Sequence, residues 1–498
     1  MSFNLLNKYQ KNIYPVSIWV SVIVLLSLLV FRITLVFSYD AHIYGIENNF
    51  VYSIQRLMQG LDLYTDPEQL PYAINMYSPF YFSVSAFIGN IFQLNPDEPI
   101  HIFWLSRSVS LICDIITCLF LFRILRRRYN VPVEFSLFTL SIFASIICFW
   151  GFTFSRSDSM VLTFYSVFIY FLTSNKIDEK KTLLITALIS VACIFSKQNA
   201  IVVPILAISW LWIQNKRTAI LYYVLYFLIA FSGMILLYRY GLNYTYFFDN
   251  TVKAIQNRIS LPWFYDYIFK RTLNSLWILP FYIALIICLK EWSNKNNNQE
   301  RAFSVIFFLQ LFFSLLISLK IGSSIGYFTE SLFLGLIIIA RYSVKNYGPE
   351  LLRNVLSILL PLIILFSIHT IGQGYLFFIQ TKNEKRTSYL KQKEIKEYLQ
   401  PQLENLYLFN LDNPYTSFFK NIFFKNMAAP NFDIIDLATY QDGTFDYSNL
   451  EKDFNNGNIK FLIAAENELV TSIWDISLHH YKKDTVINSF AIYKYQKP

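Results

Sequence analysis

The sequence predicts a polytopic α-helical membrane protein with a small α/β domain at its C-terminal end. Of the 498 residues, 55% are hydrophobic, 18% are aromatic and only 15% are charged, which is far more apolar surface than a soluble chain of this length carries. Long apolar runs alternate with short basic loops up to about residue 378, and the composition then becomes polar and charged. This pattern predicts a membrane domain over 1–378 and a small soluble domain over 382–498.

The formal net charge of +9 would suggest nucleic acid as a partner of a soluble protein. Here the Lys and Arg residues lie mainly in short loops between apolar runs, where they hold those loops in the cytoplasm. The strongest such cluster is Arg123, Arg126, Arg127 and Arg128. We therefore expect a protein of the bacterial cytoplasmic membrane with a cytoplasmic N-terminus, an extracytoplasmic C-terminal domain and no nucleic-acid partner.

The apolar run from about Val16 to Phe37 predicts an uncleaved first span, because it is longer than a signal-peptide core. An outer loop over 39–100 follows. Within it we expect 79–92 to form a juxtamembrane helix, since this stretch is short and is interrupted by Gly89. The later predicted spans bring the total to about eleven: 101–122, 134–152, 159–173, two helices within 183–213, 219–238, 275–289, 302–318, 324–340 and 351–374.

The segment 183–213 is too long for one span and too short for two, which predicts two half-length helices that meet at Ser196-Lys197-Gln198. A second outer loop, 239–274, holds more Lys and Arg than Asp. It is either an ordinary translocated loop or a cationic rim for a phosphate head group. In the C-terminal domain, a helix over 388–404 and strands at 406–411, 432–437, 460–465 and 486–495 are predicted.

This topology brings Glu47, Asp158, Lys197 and Glu330 to one side of the membrane, although they are distant in sequence. A carboxylate beside an apolar surface is partly desolvated, which suits it to accept a proton from a substrate hydroxyl. Glu47 is therefore a candidate base, and the alternative is an ordinary solvated loop glutamate. Asp158 stands where a helix is predicted to begin, so capping of that helix is its alternative role.

Lys197 is a candidate point charge for a phosphodiester, with Gln198 as a neutral donor, and the alternative is a snorkelling lysine. Arg107 and Arg156 either serve similarly or pair with carboxylates. Asp114 lies within a predicted span and is left without a role. The sequence has no His/Cys cluster, so no metal ligand is predicted.

Four short islands of sequence, taken in order, resemble the GT-C superfamily of integral-membrane glycosyltransferases over about residues 15–375. This superfamily includes protein O-mannosyltransferases and bacterial lipid A aminoarabinose transferases. The islands are Glu47 to Gly60 with Tyr64-Thr65-Asp66-Pro67 and Tyr77-Ser78-Pro79-Phe80-Tyr81, then Ser155-Arg156-Ser157-Asp158, then Phe195-Ser196-Lys197-Gln198, and finally Lys320-Ile321-Gly322-Ser323 with Tyr327-Phe328-Thr329-Glu330.

The resemblance implies spans with juxtamembrane helices in the first outer loop. It also implies inverting transfer of a hexose or pentose from a polyprenyl-phosphate donor to a hydroxyl of a glycan, lipid or protein at the outer face, as in biosynthesis of cell-envelope glycans. Glu47 takes the place of the first-loop catalytic acid, which is Asp in many relatives, and Asp158 matches the second acidic position. Metal use varies across the superfamily, so the resemblance implies no particular cation. Binding of a divalent ion is an open alternative. The expected ligand contacts are Lys197, Gln198 and Arg156 for the donor phosphate, and Tyr64, Asp66, Tyr77, Tyr327 and Glu330 for the substrates.

Two other functions stay open. A transporter or flippase of lipid-linked sugars also needs aromatic and basic surfaces beside a bilayer. The acidic first loop, the lack of paired half-repeats in the sequence and the polar C-terminal domain favour an enzyme. A glycan polymerase or ligase would differ in the size of its donor rather than in the chemistry of its site.

Overall fold

The fold is predominantly helical, as the apolar runs predict. The computed structural model describes residues 3–41, 43, 46–151, 153–242, 244–255, 259–273, 278–293, 297–404, 406–411, 417–430, 442–466, 472–473 and 476–497. The chain is an integral membrane protein. Among the residues described above, five helices are long and apolar enough to cross a membrane, namely Tyr14–Val36, Pro99–Arg128, Arg217–Gly241, Asn298–Ser318 and Ile325–Asn346.

Each predicted span overlaps a helix of the structure, and the total of about eleven spans stays a prediction. The described α-helices are α1 (Phe3–Val36), α2 (Glu47–Met58), α3 (Phe80–Ile91), α4 (Pro99–Arg128), α5 (Val133–Trp150), α6 (Ser157–Leu172), α7 (Lys180–Ser196), α8 (Val202–Ile213), α9 (Arg217–Gly241), α10 (Leu261–Trp263), α11 (Leu279–Ser293), α12 (Asn298–Ser318), α13 (Thr329–Asn346), α14 (Pro349–Leu399), α15 (Phe419–Ile422) and α16 (Ser448–Asn456). Short 3₁₀ helices at Gln198–Ile201 and Ile325–Phe328 precede α8 and α13.

The last long helix differs from the prediction. The sequence suggested a span at 351–374 and a separate helix at 388–404, but α14 is one helix of 51 residues with Pro361 inside it. The residues from Gln380 to Arg386 are polar or charged, which ends the membrane-compatible stretch, yet no proline lies between the two predicted helices to end the helix. The change in polarity marks the end of the apolar stretch but not the end of the helix.

The chain divides into two compact units. The helical unit comprises Met1–Leu35, Ser110–Met234 and Arg258–Phe378, and the mixed unit comprises Val36–Val109, Ile235–Asn257 and Ile379–Pro498. The first outer loop and the C-terminal segment therefore belong to the same unit. Within that unit the Tyr72 hydroxyl donates to Asp453 Oδ2 at 2.6 Å, and Gln55 Nε2 donates to the carbonyl of Asn421 at 2.9 Å.

In the helical unit, α11 packs against α12 and α13, α6 against α7, and α8 against α12. Gly335 lets α13 approach α11 closely. A Cβ atom at this position would lie 3.3 Å from Cβ of Ala284 and 3.5 Å from the ring of Phe307. Interiors packed at this density do not accept larger side chains without backbone movement.

The predicted break within 183–213 is confirmed. The helix α7 ends at Ser196, and Lys197 follows with an extended backbone (φ −158°, ψ 127°) before the 3₁₀ helix that starts at Gln198. The helix α7 has 17 residues, so it is longer than the half-length helix that was expected. The break places the Lys197 side chain at the end of a helix rather than along its face.

The mixed unit holds a four-stranded sheet. Its order is β1-β2-β6-β5, with β1 and β2 parallel and the other pairs antiparallel. The predicted strand 486–495 is instead the end of β5, a tight turn at Asn488-Ser489 and β6. Both turn residues have positive φ, as two-residue hairpin turns require. The strands are β1 (Tyr407–Asn410), β2 (Ile459–Ala465), β3 (Ser472–Ile473), β4 (Ile476–Ser477), β5 (Tyr481–Ile487) and β6 (Phe490–Tyr495), and the predicted strand 432–437 lies outside the described residues.

The juxtamembrane helix expected at 79–92 is α3, Phe80–Ile91. Gly89 does not interrupt it. A Cβ atom there would lie 2.8 Å from the side chain of Met58 on α2 and 3.0 Å from Leu105 on α4. The glycine therefore serves the close packing of three helices in the mixed unit.

We expect Gly335→Leu to destabilise the protein, because a larger side chain between α13 and α11 overpacks the core by about 1–3 kcal/mol. The control is Gly233→Leu on α9, where a Cβ atom has no neighbour within 4 Å. Thermal unfolding in detergent, followed by size-exclusion chromatography, should show a lower midpoint for Gly335→Leu only. Equal midpoints for the two variants would contradict the packing of α11 on α13.

Candidate functional site

A buried cluster of charged side chains lies at the ends of α6 and α7 in the helical unit. Lys197 Nζ is 2.6 Å from Asp158 Oδ1, and Arg156 Nε is 3.4 Å from Asp158 Oδ2. The exposed fractions of the Lys197, Arg156 and Asp158 side chains are only 8%, 10% and 12%. One carboxylate is thus held between two cations in a place with little water.

The local fold explains why these three side chains meet. Asp158 lies in the first turn of α6, where the helix dipole favours a negative charge. The N-cap residue of α6 is Arg156, so Asp158 does not cap this helix and its carboxylate faces Lys197 instead. The backbone N–H of Arg156 donates to Ser110 Oγ at 3.2 Å, which fixes the entry to α6.

Two residues from the start of α13 join this cluster. The ring centroid of Tyr327 lies 4.8 Å from Lys197 Nζ, a cation–π contact. Glu330, in the first turn of α13, is close enough to interact electrostatically with both Lys197 and Asp158. The structure therefore unites Arg156, Asp158, Lys197, Tyr327 and Glu330, and Gln198 follows Lys197 directly in the chain.

A narrow polar cavity lies beside this cluster. Tyr327 and Glu330 line it together with Tyr165, Asn199 and Gln310. The Tyr165 hydroxyl, Asn199 Oδ1 and Gln310 Oε1 are buried and have no hydrogen-bond partner in the described part of the chain. Because buried polar atoms without partners are costly, these three atoms mark a place where a small polar group such as a water molecule would bind.

Glu47 lies in the mixed unit, where it is the first residue of α2 and not a solvated loop residue. Its side chain is fully buried and forms an ion pair with Arg107, which donates from Nη2 at 2.6 Å and from Nε at 3.1 Å to Glu47 Oε2. Arg107 also donates to the carbonyl of Ser38 at 3.0 Å and to the carbonyl of Asp40 at 2.5 Å. The pair thus fixes the start of the first outer loop.

The two carboxylate oxygens of Glu47 differ. Arg107 occupies Oε2, whereas Oε1 is buried with no partner at full hydrogen-bond geometry among the described residues, although the backbone N–H of Ile43 also stabilises the carboxylate. Burial raises the pKa of Glu47 above its usual range, and the neighbouring Arg107 charge only partly offsets this effect. The group therefore has one anchored oxygen, one oxygen ready to accept a hydrogen bond, and an increased affinity for protons.

The other first-loop residues expected to bind substrate have local partners. Tyr64 is buried, and its hydroxyl donates to the carbonyl of Tyr77 at 2.8 Å. Asp66 Oδ1 accepts from the backbone N–H of Glu68 at 2.9 Å, as in a turn stabilised by an aspartate. The ring of Tyr77 packs 4.7 Å from that of Phe50. In this structure these contacts shape the loop around Glu47.

The sequence analysis did not predict the polar side chains Tyr165, Asn199 and Gln310 in the wall of the cavity. Gln310 interrupts the run Phe307-Phe308-Leu309-Gln310-Leu311 in α12, and a lone amide in an apolar span is a signal for a functional or structural partner. Tyr165 and Asn199 carry no such signal, since aromatic and loop polar residues are common in this chain. No group of three His, Cys, Asp or Glu side chains suited to a metal ion occurs among the residues described above.

The backbone fold is similar to that of known glycosyltransferases. The ArnT protein of Cupriavidus metallidurans, solved bound to undecaprenyl phosphate, matches with a TM-score of 0.61 and 12% identity over 96% of this chain and 97% of that chain. The oligosaccharyltransferase of Archaeoglobus fulgidus, tethered with an acceptor peptide, matches with a TM-score of 0.55 and 11% identity over 90% of this chain and 69% of that one. No protein-family model and no curated protein sequence matches the chain.

These likenesses establish the fold. The chain is an integral membrane protein with the fold of these proteins, the GT-C fold that the four sequence islands indicated, and the similarity to ArnT extends over nearly its whole length. Identities of 10–12% carry no information on substrate.

We expect Arg107→Met to reduce stability strongly, because removal of one partner leaves the buried Glu47 carboxylate uncompensated at a cost of about 3–5 kcal/mol. The double variant Glu47→Leu/Arg107→Met removes both charges and should unfold near the wild-type temperature. Fluorescence-detected thermal unfolding in detergent measures both. A single variant as stable as the double variant would show that the pair is not buried as described.

Proposed function

We propose that this chain is an inverting glycosyltransferase that moves a hexose or pentose from a polyprenyl-phosphate donor to a hydroxyl group of a glycan, lipid or protein. The observation that carries the proposal is the buried Lys197–Asp158–Arg156 cluster within a fold shared over nearly its full length with a protein solved bound to undecaprenyl phosphate. A second protein of this fold, AglB of Archaeoglobus fulgidus, was solved with a dolichol-phosphate. A carrier of the same chemical class is proposed for this chain.

The charged cluster suits the phosphodiester of such a donor. Lys197 and Arg156 bring two positive charges to the cluster, which Asp158 and, when it is ionised, Glu330 oppose. Both cations can donate charge-assisted hydrogen bonds to the oxygens of an anion. Lys197 acts as a compact point charge and Arg156 as a planar donor. On donor binding, Lys197 exchanges part of its contact with Asp158 for a phosphate oxygen, and Gln198 supplies a neutral donor.

The reaction is a single displacement. The acceptor oxygen forms a bond to the anomeric carbon as the bond from that carbon to the phosphate oxygen breaks, so the configuration inverts. The leaving polyprenyl phosphate keeps the electron pair as a stable anion, which Lys197 and Arg156 stabilise electrostatically. No general acid is needed for such a leaving group, and the only proton to be removed is that of the acceptor hydroxyl.

Glu47 is the proposed base. Its Oε2 is anchored by Arg107, its Oε1 has no partner at full hydrogen-bond geometry in the described residues, and burial raises its pKa toward the range in which a carboxylate accepts protons efficiently. Its side chain is fully buried, so an acceptor hydroxyl reaches Oε1 only when the side chains that cover it move aside. Such gating by a loop is common among enzymes that exclude water from the reaction.

The outer face of the membrane is the proposed location of the reaction. The helix α6 runs from the charged cluster at Asp158 to the loop 173–179 and the lysines at the start of α7. Basic loops are retained in the cytoplasm. The opposite end of α6, with the cluster, then faces outward, the N-terminus is cytoplasmic, and the sheet of the mixed unit is extracytoplasmic.

We expect Glu47→Gln to lower turnover by about 100-fold or more, the range of general-base contributions, and to leave donor affinity unchanged. In this variant Arg107 keeps an amide oxygen and the carbonyls of Ser38 and Asp40 as acceptors, but its charge is unpaired, so size-exclusion chromatography must first show that the protein folds. Release of free polyprenyl phosphate from short-chain polyprenyl-phospho-sugars, with an envelope extract as acceptor, measures turnover. A folded Glu47→Gln protein with near-normal turnover would refute the role of Glu47 as base.

Lys197→Met should weaken donor binding by about 10–100-fold, because a hydrogen bond to a charged group contributes about 1.5–3 kcal/mol. Lys176→Met, at an exposed loop position, is the matched control and should bind as the wild type does. Titration with a short-chain polyprenyl phosphate gives both affinities. Unchanged affinity in Lys197→Met would exclude Lys197 as a phosphate ligand.

A further inference from the structure

An apolar groove lies between α1, α4 and α5 in the helical unit, on residues that the proposed reaction does not use. Its volume is about 320 Å³. The lining residues on α4 extend from Leu111 to Phe122 and those on α5 from Leu137 to Cys148. Each stretch covers about 16 Å along its helix at 1.5 Å per residue. The groove therefore has the length and polarity that a hydrocarbon chain requires.

A buried ion pair forms part of the wall of this groove. Arg32 Nη2 lies 2.5 Å from Asp114 Oδ2, and the two side chains are 4% and 8% exposed. The Thr153 hydroxyl also donates to Asp114 Oδ2, at 3.0 Å, and the Arg32 guanidinium stacks 3.3 Å from the ring centroid of Phe154. Arg32 is four residues from the end of α1 at Val36, so the pair lies near one end of that helix.

The ion pair is incompletely satisfied. Arg32 Nε and Nη1 and Asp114 Oδ1 are all buried and have no hydrogen-bond partner in the parts of the chain that the structure describes. Leaving such donors and an acceptor unpaired away from water is costly. These two donors and one acceptor are buried beside an apolar groove. A lipid with an oxygen acceptor, a hydrogen-bond donor and a hydrocarbon chain would satisfy them once the side chains that cover them move aside.

The balanced charge of the pair favours an uncharged polar group beside it. Arg32 and Asp114 neutralise each other, so they exert little net attraction on a second anion such as the phosphate of a polyprenyl carrier. An uncharged ester carbonyl accepts from guanidinium N–H groups without this difficulty, and a head-group hydroxyl or amine can donate to Asp114 Oδ1. The polar end of such a lipid lies near the end of α1 and its chain lies along α4 and α5, as an amphiphile in a bilayer is oriented.

We propose that this groove is a binding site for one glycerophospholipid of the surrounding membrane. An acyl chain fills the groove, its ester carbonyl accepts hydrogen bonds from Arg32, and a hydroxyl or amine of the head group donates to Asp114. In this proposal the carboxylate of Asp114, which lies within a predicted membrane span, binds the head group of the lipid. It does not depend on the proposed transferase activity.

Native mass spectrometry of the full chain in mild detergent tests this site. We expect the wild type to retain one phospholipid through stepwise delipidation and to regain it when phosphatidylethanolamine or phosphatidylglycerol is added. Ala144→Phe, which fills the groove beside α5, should reduce the retained fraction at least fivefold. The matched control is Leu228→Phe on the exposed face of α9, which should retain lipid as the wild type does.

A second variant tests the site independently if Ala144→Phe fails to fold. Arg32→Met/Asp114→Leu replaces the ion pair with apolar side chains of similar size, a change that proteins often tolerate without loss of stability. It should fold and lose the retained phospholipid. The proposal is overturned if the wild type retains only water or detergent, if it retains polyprenyl phosphate in place of phospholipid, or if this double variant retains phospholipid as the wild type does.

Discussion

The structure depends on one constraint: a charge taken out of water must be paired, and the pairing decides where helices begin, end and cross. Glu47 and Arg107 join α2 to α4 at the start of the first outer loop. Asp158 and Lys197 join the start of α6 to the end of α7, and Arg341 and Glu291 join α13 to α11. Each pair ties together segments that are far apart in sequence, and each would be costly to break from one side only.

The need to pair buried polar groups also distinguishes atoms that only stabilise the fold from atoms that would bind a ligand. In each buried cluster discussed, one atom of a pair is anchored while another is left without a partner. Glu47 Oε2 is held by Arg107 and Oε1 is not, and the same asymmetry is found in Arg32 and Asp114. Such atoms raise the free energy of the folded protein unless a ligand or water completes them. They mark the places where the proposed acceptor hydroxyl and the proposed phospholipid would bind.

Much of the fold follows from the sequence because hydrophobicity and helix length are local properties. The break at Lys197 was predictable, since the apolar segment around it fits neither one span nor two. The continuity of α14 was not predictable. The sequence becomes polar there, which ends the apolar stretch, but polar residues can continue a helix. The pairing of Glu47 with Arg107 was not predictable, since Arg107 lies 60 residues away in the sequence and only the fold brings the two side chains together. Residues such as Tyr165 show no distinguishing pattern until the cavity that they line is visible.

The central claim is that the chain transfers sugar rather than moving lipid-linked sugar across a membrane. Incubation of the purified wild-type protein in detergent micelles with a panel of short-chain polyprenyl-phospho-sugars and an envelope extract tests it most directly. The account predicts free polyprenyl phosphate in equal amount to the sugar transferred to acceptor, with no need for a sealed membrane. Absence of release from every donor by a folded protein, together with movement of donor in sealed vesicles, would contradict it.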